Sequence, residues 1–254
     1  MERVVTILDA VCLASQMILE CGGETYRAEE TVERMCQGLG VPQVDALALP
    51  TGLMLTVTLS DENTYTRIVR VHDRTIDLGR IDQCNAVSRQ VAAGKLSAED
   101  ALKRLQKIHR TRTDRRWLLV GASALSAASF TLMLGGSWID FGVSFFCGAL
   151  VQMVLPPLMK MRVPVLISSM IAGALTTLMA LVSTLPLPAV AIEPVISGAI
   201  MPLLPGLAVT NAMRDTIRGD LVSGGARVIE AILSVMMLAA GIGLMLSMWG
   251  GIRA

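Results

Sequence analysis

From Trp117 to Ala208 the chain carries only four charged side chains, Asp140, Lys160, Arg162 and Glu193. A soluble domain places charge on roughly a quarter of its residues. A stretch this long and this poor in charge has to be solvated by lipid. Residues 1–116, by contrast, hold 16 of the 22 Lys/Arg and 16 of the 21 Asp/Glu. The partition predicts a water-soluble half, 1–116, joined to a membrane half, 117–254. The expected fold class is an α-helical integral membrane protein, a five-helix transmembrane bundle preceded by a cytoplasmic α+β domain.

A membrane-crossing helix needs ~20 mostly apolar residues. Five stretches approach that length: 117–134, 138–155, 164–184, 189–209 and 228–249. Trp117, Trp138 and Trp249 sit at their ends, where amphipathic rings favour the interface. Lys103, Arg104, Lys107, Arg110, Arg112, Arg115 and Arg116 crowd the approach to the first span. Lys160 and Arg162 follow the second, and Arg214, Arg218 and Arg227 follow the fourth, while 135–137 and 185–188 carry no Lys or Arg. With five crossings all basic stretches fall on one side. The positive-inside rule then expects the N-terminus in the cytoplasm and Arg253 and Ala254 outside a cell inner membrane. The cluster before the first span reads as topogenic, with anionic-lipid binding as its alternative. The first residues alternate charged and apolar side chains without a continuous apolar core, so targeting is expected from the first span.

In the first half, apolar spacing predicts helices over 3–20 and from Glu24-Thr25 to about Gln37. The runs 53–59 and 65–71 alternate around Ser60–Thr64 and read as a hairpin, with Val44–Leu49 as a candidate third strand. Helices are expected at about 77–93 and 97–110, the second capped by Ser97 with Asp100. Glu24, Glu29, Glu30, the His72-Asp73 pair and the hydroxyls Thr51 and Ser60 raise the question of catalysis. Nucleophilic chemistry needs a nucleophile, base and orienting group in mutual reach. None of the established catalytic motifs is present, and the expectation is a solvated helix face and a turn rather than an enzyme. The five cysteines form no CxxC pair and no ligand spacing with His72 or His109, so a reduced compartment, no metal and no cofactor are expected. A net charge of +1 without an aromatic-studded basic groove argues against nucleic acid.

The fourth span carries the unusual residues. Glu193 lies one turn in, where a carboxylate faces a cavity, a partner or a pathway, or snorkels to the interface. Pro202, Pro205 and Gly206 break the helix at membrane depth, and transporters use such breaks to aim backbone groups at a solute; a tolerated kink is the alternative. Beyond the break come Asn211, Arg214, Asp215, Arg218 and Asp220, then Gly219, Gly224 and Gly225, which are expected to loosen the chain before Arg227 and Glu230 enter span five. These groups suit an anionic or zwitterionic solute with proton uptake by a carboxylate, or equally salt-bridged packing within a hairpin. Small residues such as Gly121, Gly148, Gly173 and Gly198 favour a packed bundle or oligomer over a lone anchor.

Four segments carry a family likeness: "GGETYRAEETVERMCQGLG" at 22–40, "LPTGLMLTV" at 49–57, "IDLGRIDQCNAVSRQVAAG" at 76–94 and "PLLPGLAVTNAMRDTIRGDLVSGGARVIEA" at 202–231. Together they resemble the threonine/serine exporter family in its short form. The most specific strings are Gly23, Glu24, Thr25, Arg27, Glu29, and Pro205, Gly206, Gly219, Asp220, Gly225, Arg227. The resemblance implies export of small amino acids or related carboxylates driven by a proton gradient or membrane potential. It also implies a separately encoded five-span partner, because long members resemble this chain fused to a second such block. It leaves two other readings in play, a membrane-anchored enzyme with a hydrolase-like cytoplasmic domain and a regulatory or assembly subunit of a transporter.

Overall fold

A computed structural model describes residues 2–59, 63–72, 74–111 and 115–253, the side chains of Glu2, Ile252 and Arg253 excepted. Ser60, Asp73, Arg112 and Ala254, singled out in the sequence, lie outside the described residues.

The charged half begins with helices α1 (Glu2–Glu20) and α2 (Thr25–Gly38). Strands β1 (Gln43–Leu49), β2 (Gly52–Thr58) and β3 (Thr64–Arg70) follow, then α3 (Leu78–Ala92) and α4 (Ala98–Arg110). The candidate third strand is therefore real, and the sheet is an antiparallel meander in the order β1-β2-β3. Its alternation sets two faces. Leu53, Leu55 and Val57 turn inward against Val11, Met17, Ile18, Val32, Met35, Val91 and Leu105 of the helices. Thr56 and Thr66, directly paired, stay on the open face with their hydroxyls 3.0 Å apart. Each fully buried aliphatic side chain of this core contributes roughly 1.5–3 kcal/mol.

The apolar half contains α5 (Arg116–Met133), α6 (Trp138–Lys160), α7 (Val165–Ser183) and α8 (Ile192–Ile200), a 3-10 turn at Met201–Leu203, then α9 (Gly206–Ile217) and α10 (Leu221–Arg253). Helices α5, α6, α7 and α10 are long and apolar enough to cross a membrane. The fifth crossing exists only if α8 with its turn and α9 count as one span, and that pair is bent by 52° between Leu203 and Gly206. Two bounds differ from expectation. Helix α6 runs on past 155 through Pro156 and Pro157 to Lys160, and α10 starts seven residues before 228, at Leu221. Gly224 and Gly225 are thus helical rather than loosening the chain. Gly224 is there for proximity, since a Cβ would lie 2.2 Å from Thr216 Oγ1 and 3.0 Å from the Ala212 carbonyl.

Two compact units result, one from residues 1–113 with 207–228, the other from 114–206 with 229–254. In the second, Asp140 and Ser137 make a reciprocal capping box at the start of α6. The other Asp140 oxygen accepts the Ala191 N–H at 2.8 Å, which pins the entry to α8. Thr131 lies 2.6 Å from the Ser144 hydroxyl, and a Cβ on Gly198 would fall 2.0 Å from Thr131 Oγ1. Small residues therefore let α8 approach α5 closely, as the composition of these spans suggested.

Candidate functional site

The first unit contains two helix corners of the same construction. At the end of α1, Gly22 adopts φ +83°, its N–H bonds to Leu19 O at 3.2 Å, and the Gly23 N–H bonds to Ile18 O at 2.8 Å. At the end of α9, Gly219 adopts φ +92°, its N–H bonds to Thr216 O at 3.0 Å, and the Asp220 N–H bonds to Asp215 O at 2.9 Å. Both are Schellman closures, which need a residue at ease in the left-handed region and so select glycine. Gly23 has a further reason, because a Cβ would meet Ile18 Cγ2 at 2.5 Å and the Ile18 carbonyl at 2.8 Å.

These corners are stitched to each other by side chains. Asn211 Nδ2 donates to Gly22 O at 2.9 Å, and Arg227 Nη2 donates to Gly23 O at 2.9 Å. The Thr25 hydroxyl donates to Asp220 Oδ2 at 2.9 Å, while Asp220 Oδ1 accepts the Ser223 N–H at 3.1 Å and so caps α10. Asp215 and Arg227 form an ion pair at 3.1 Å, with 0% and 8% of their side chains exposed. Isolated charges could not stay ionised at such depth, and the pair holds because each neutralises the other.

A second layer surrounds the opening of α2. Glu24, with only 7% of its side chain exposed, meets Arg214 Nη1 at 2.5 Å through Oε1 and Arg27 Nη1 at 3.5 Å through Oε2. Burial pushes its pKa up, but its own backbone N–H and the two guanidiniums outweigh that and hold it below the ordinary carboxylate range. The Arg218 guanidinium carbon lies over the Tyr26 ring, 3.7 Å from its centroid. One turn along α2, half-buried Glu29 accepts the Ala48 N–H at 2.8 Å. Here burial dominates, and the carboxylates Asp220, Glu33 and Asp215 add to it, so its pKa is raised despite that hydrogen bond.

Gly23, Glu24, Thr25, Arg27 and Glu29 thus converge with Asn211, Asp215, Asp220 and Arg227. Expecting the carboxylates of 24–30 to form a solvated helix face holds for exposed Glu30, paired with Arg34, but not for buried Glu24. Glu193, Pro202, Pro205, Gly206 and Glu230 are not in this cluster and belong to the other unit. Glu193 is exposed in the first turn of α8, where its charge complements the helix dipole. Pro202, Pro205 and Gly206 form the break itself. Tyr26, Ser223 and the Gly22 carbonyl were not legible as site members; the four-residue spacing of Arg214 and Arg218 was their only companion signal. The thiols outside the membrane helices are poor nucleophiles, since burial pushes Cys12 and Cys21 up to about 11 and Cys36 and Cys84 up to about 12. Among the described residues no three His, Cys, Asp or Glu side chains cluster to hold a metal ion.

Comparison with known proteins bears on this arrangement. Residues 9–249 match the sequence model of the family described as "Putative threonine/serine exporter". The chain is 28% identical over 252 residues to the "Probable succinate transporter subunit YjjP" of Klebsiella aerogenes, covering 98% of this chain and 95% of that one. It is 27% identical over 250 residues to the protein of the same name from Escherichia coli, covering 98% and 96%. An uncharacterized protein of Schizosaccharomyces pombe shares 30% identity over 138 residues, which is 52% of this chain and 18% of the yeast chain. No solved structure matches.

Proposed function

Since the chain belongs to the threonine/serine exporter family, we propose that it is one subunit of a secondary-active exporter of small carboxylates or threonine/serine-like amino acids. It works in the cell inner membrane with a second, separately encoded five-span subunit and with the N-terminus in the cytoplasm. The family and the relatives' names point to a multi-pass membrane transporter rather than an enzyme. The word "subunit" in those names supports the partner, and succinate, named for them, supports a dicarboxylate as cargo.

The observation that carries the reading is the convergence of the two family strings in one buried ionic network. Segments around Glu24 and Asp220, almost two hundred residues apart in sequence, share hydrogen bonds and ion pairs in one unit. Such a network, held by a glycine corner on each side, can serve as a bistable element, because opening it requires water or solute to replace each partner. We assign it to the cytoplasmic gate and the Pro202–Gly206 break, together with Glu193 and Glu230, to the pathway. Asp215 and Asp220 are its candidate proton acceptors.

The test is solute flux in proteoliposomes holding this chain alone, and then with its five-span partner, under an imposed proton gradient. Amino acids and dicarboxylates are offered in parallel. Flux that needs the partner and is abolished by Asp220→Ala in a correctly assembled complex is the expected result. Absence of flux from a correctly assembled wild-type pair overturns the reading.

A further inference from the structure

Three arginines at the opening of α2 hold more hydrogen-bonding capacity than the protein uses. Arg27 and Arg214 each give Nη1 to Glu24, and among the described residues they meet no other acceptor. Each guanidinium has five N–H donors in a planar fork, so most of each fork remains open. Arg27 is 38% exposed and Arg214 56% exposed, and the open edges are therefore reachable from water. Arg218, also exposed, has no carboxylate partner among the described residues. Its guanidinium sits over the Tyr26 ring. Glu24 and Tyr26, two residues apart, thus gather three guanidiniums, two on the Glu24 carboxylate and one over the ring. Of the nearby acids, Asp215 is paired with Arg227 and Glu30 with Arg34, while Asp220 accepts from Thr25 and caps α10.

We propose that Arg27, Arg214 and Arg218 form a binding site for a small dicarboxylate dianion, with Glu24 as the positioning residue that sets two of the three guanidiniums. This deepens the exporter reading by assigning its cargo a chemical class and a place of first contact, and it rests on that reading for its role in transport. Each of the dianion's two carboxylates can take a parallel pair of N–H donors from one fork. A zwitterionic amino acid fits worse. Its ammonium needs an open anion, and Glu24, the carboxylate that holds two of the three arginines, is buried and occupied by them. Tyr26 contributes by holding the Arg218 guanidinium in place, which lowers the ordering cost of binding.

The experiment measures binding of labelled succinate to the full chain in phosphatidylcholine nanodiscs, with serine and sulfate as competitors. Arg218→Gln is the main variant because it removes no ion pair and should fold normally. Arg34→Gln, at an arginine outside the cluster, is the control. Saturable succinate binding, weakened roughly tenfold or more by Arg218→Gln and unchanged by Arg34→Gln, is the expected outcome. Tyr26→Leu is expected to weaken it less. Competition by serine as strong as by succinate overturns the dianion class, and equal competition by sulfate overturns the dicarboxylate. If phosphatidylglycerol nanodiscs block the site while succinate fails to bind in phosphatidylcholine, the arginines hold lipid headgroups and the proposal falls. Flux assays on the same variants with the partner present separate the two readings. Wild-type succinate flux with binding insensitive to Arg218→Gln removes this site and leaves the exporter standing. Binding as expected without flux of any solute removes the exporter reading and leaves the site.

Discussion

In the unit formed by 114–206 and 229–254, buried polar side chains mostly close onto backbone less than two turns away. Thr131 reaches the Ala127 carbonyl, Thr176 that of Ala172 and Thr177 that of Gly173, each at about one helical turn. In the unit formed by 1–113 and 207–228, they reach from one end of the chain to the other: Thr25 to Asp220, Glu24 to Arg214, Gly23 to Arg227. The first set of three bonds is neutral and local, so the hydroxyls of Thr131, Thr176 and Thr177 are satisfied as soon as their own helices form. The second is charged and non-local, so no member is satisfied until both segments arrive. Local satisfaction gives a helix that can sit in lipid without further help. Non-local satisfaction gives an assembly whose parts depend on one another, which is a liability in a scaffold and a requirement in a gate.

That contrast breaks most sharply at Arg227. Replacing it by leucine leaves Asp215 buried and unpaired, and the loss should be about 3–5 kcal/mol, the usual cost of orphaning one partner of a buried pair. Thermal unfolding in detergent checks it. Asp215→Asn in the Arg227→Leu background should recover much of the loss, and a double variant no better than the single would mean that the pair is not the source. The corresponding break in the other unit is steric rather than ionic. Gly198→Ala forces a methyl to within 2.0 Å of Thr131 Oγ1, and overpacking of this kind costs about 1–3 kcal/mol. Thr131→Ala should relieve part of it, which the same melt would read. Asp220→Ala comes next, at about 1–2 kcal/mol, because it removes both the α10 cap and the acceptor for Thr25. Thr25→Val alone should cost less than Asp220→Ala, since the cap remains.

How much of this was readable before folding depends on the range of the interaction. Helices α5 and α7 and the helices of residues 1–110 were legible to within a few residues because apolar periodicity and caps such as Ser97 act over one or two turns. The early start of α10 was not, since glycine at 224 reads as a breaker until Thr216 is known to press against it. The site was half legible. Glu24, Thr25, Asp220 and Arg227 stood out within motif strings, yet nothing in either string says which residue of one meets which residue of the other. Burial of Glu24 was likewise hidden: on its own helix the stretch 24–30 looks solvated, and one of the two guanidiniums that make its burial tolerable, Arg214, lies 190 residues on. Ser97 and Asp100 hydrogen-bond each other at the capped end of α4, as their spacing predicts.

Glu29 sharpens the comparison with the smallest effect, because it is the member of the ionic network whose protonation is least settled by a partner. Its folded-state pKa is raised, burial being the main cause and the carboxylates Asp220, Glu33 and Asp215 adding to it. The folded protein therefore holds this proton more tightly than the unfolded chain, whose value is the ordinary one of about 4.5. Stability from this residue is fully present below that value and is lost as pH rises through the raised folded value. Glutamine keeps an oxygen for the Ala48 N–H and carries no charge to be repelled. Glu29→Gln should accordingly be neutral at pH 4 and modestly more stable than wild type at pH 8, by less than about 1 kcal/mol because the half-exposed group is screened. Melts across that interval read the difference directly. A difference that stays flat with pH, or that favours glutamate at pH 8, would show that the carboxylate is satisfied in its ionised form, and would take Glu29 out of the set of groups able to pick up a proton when the network opens.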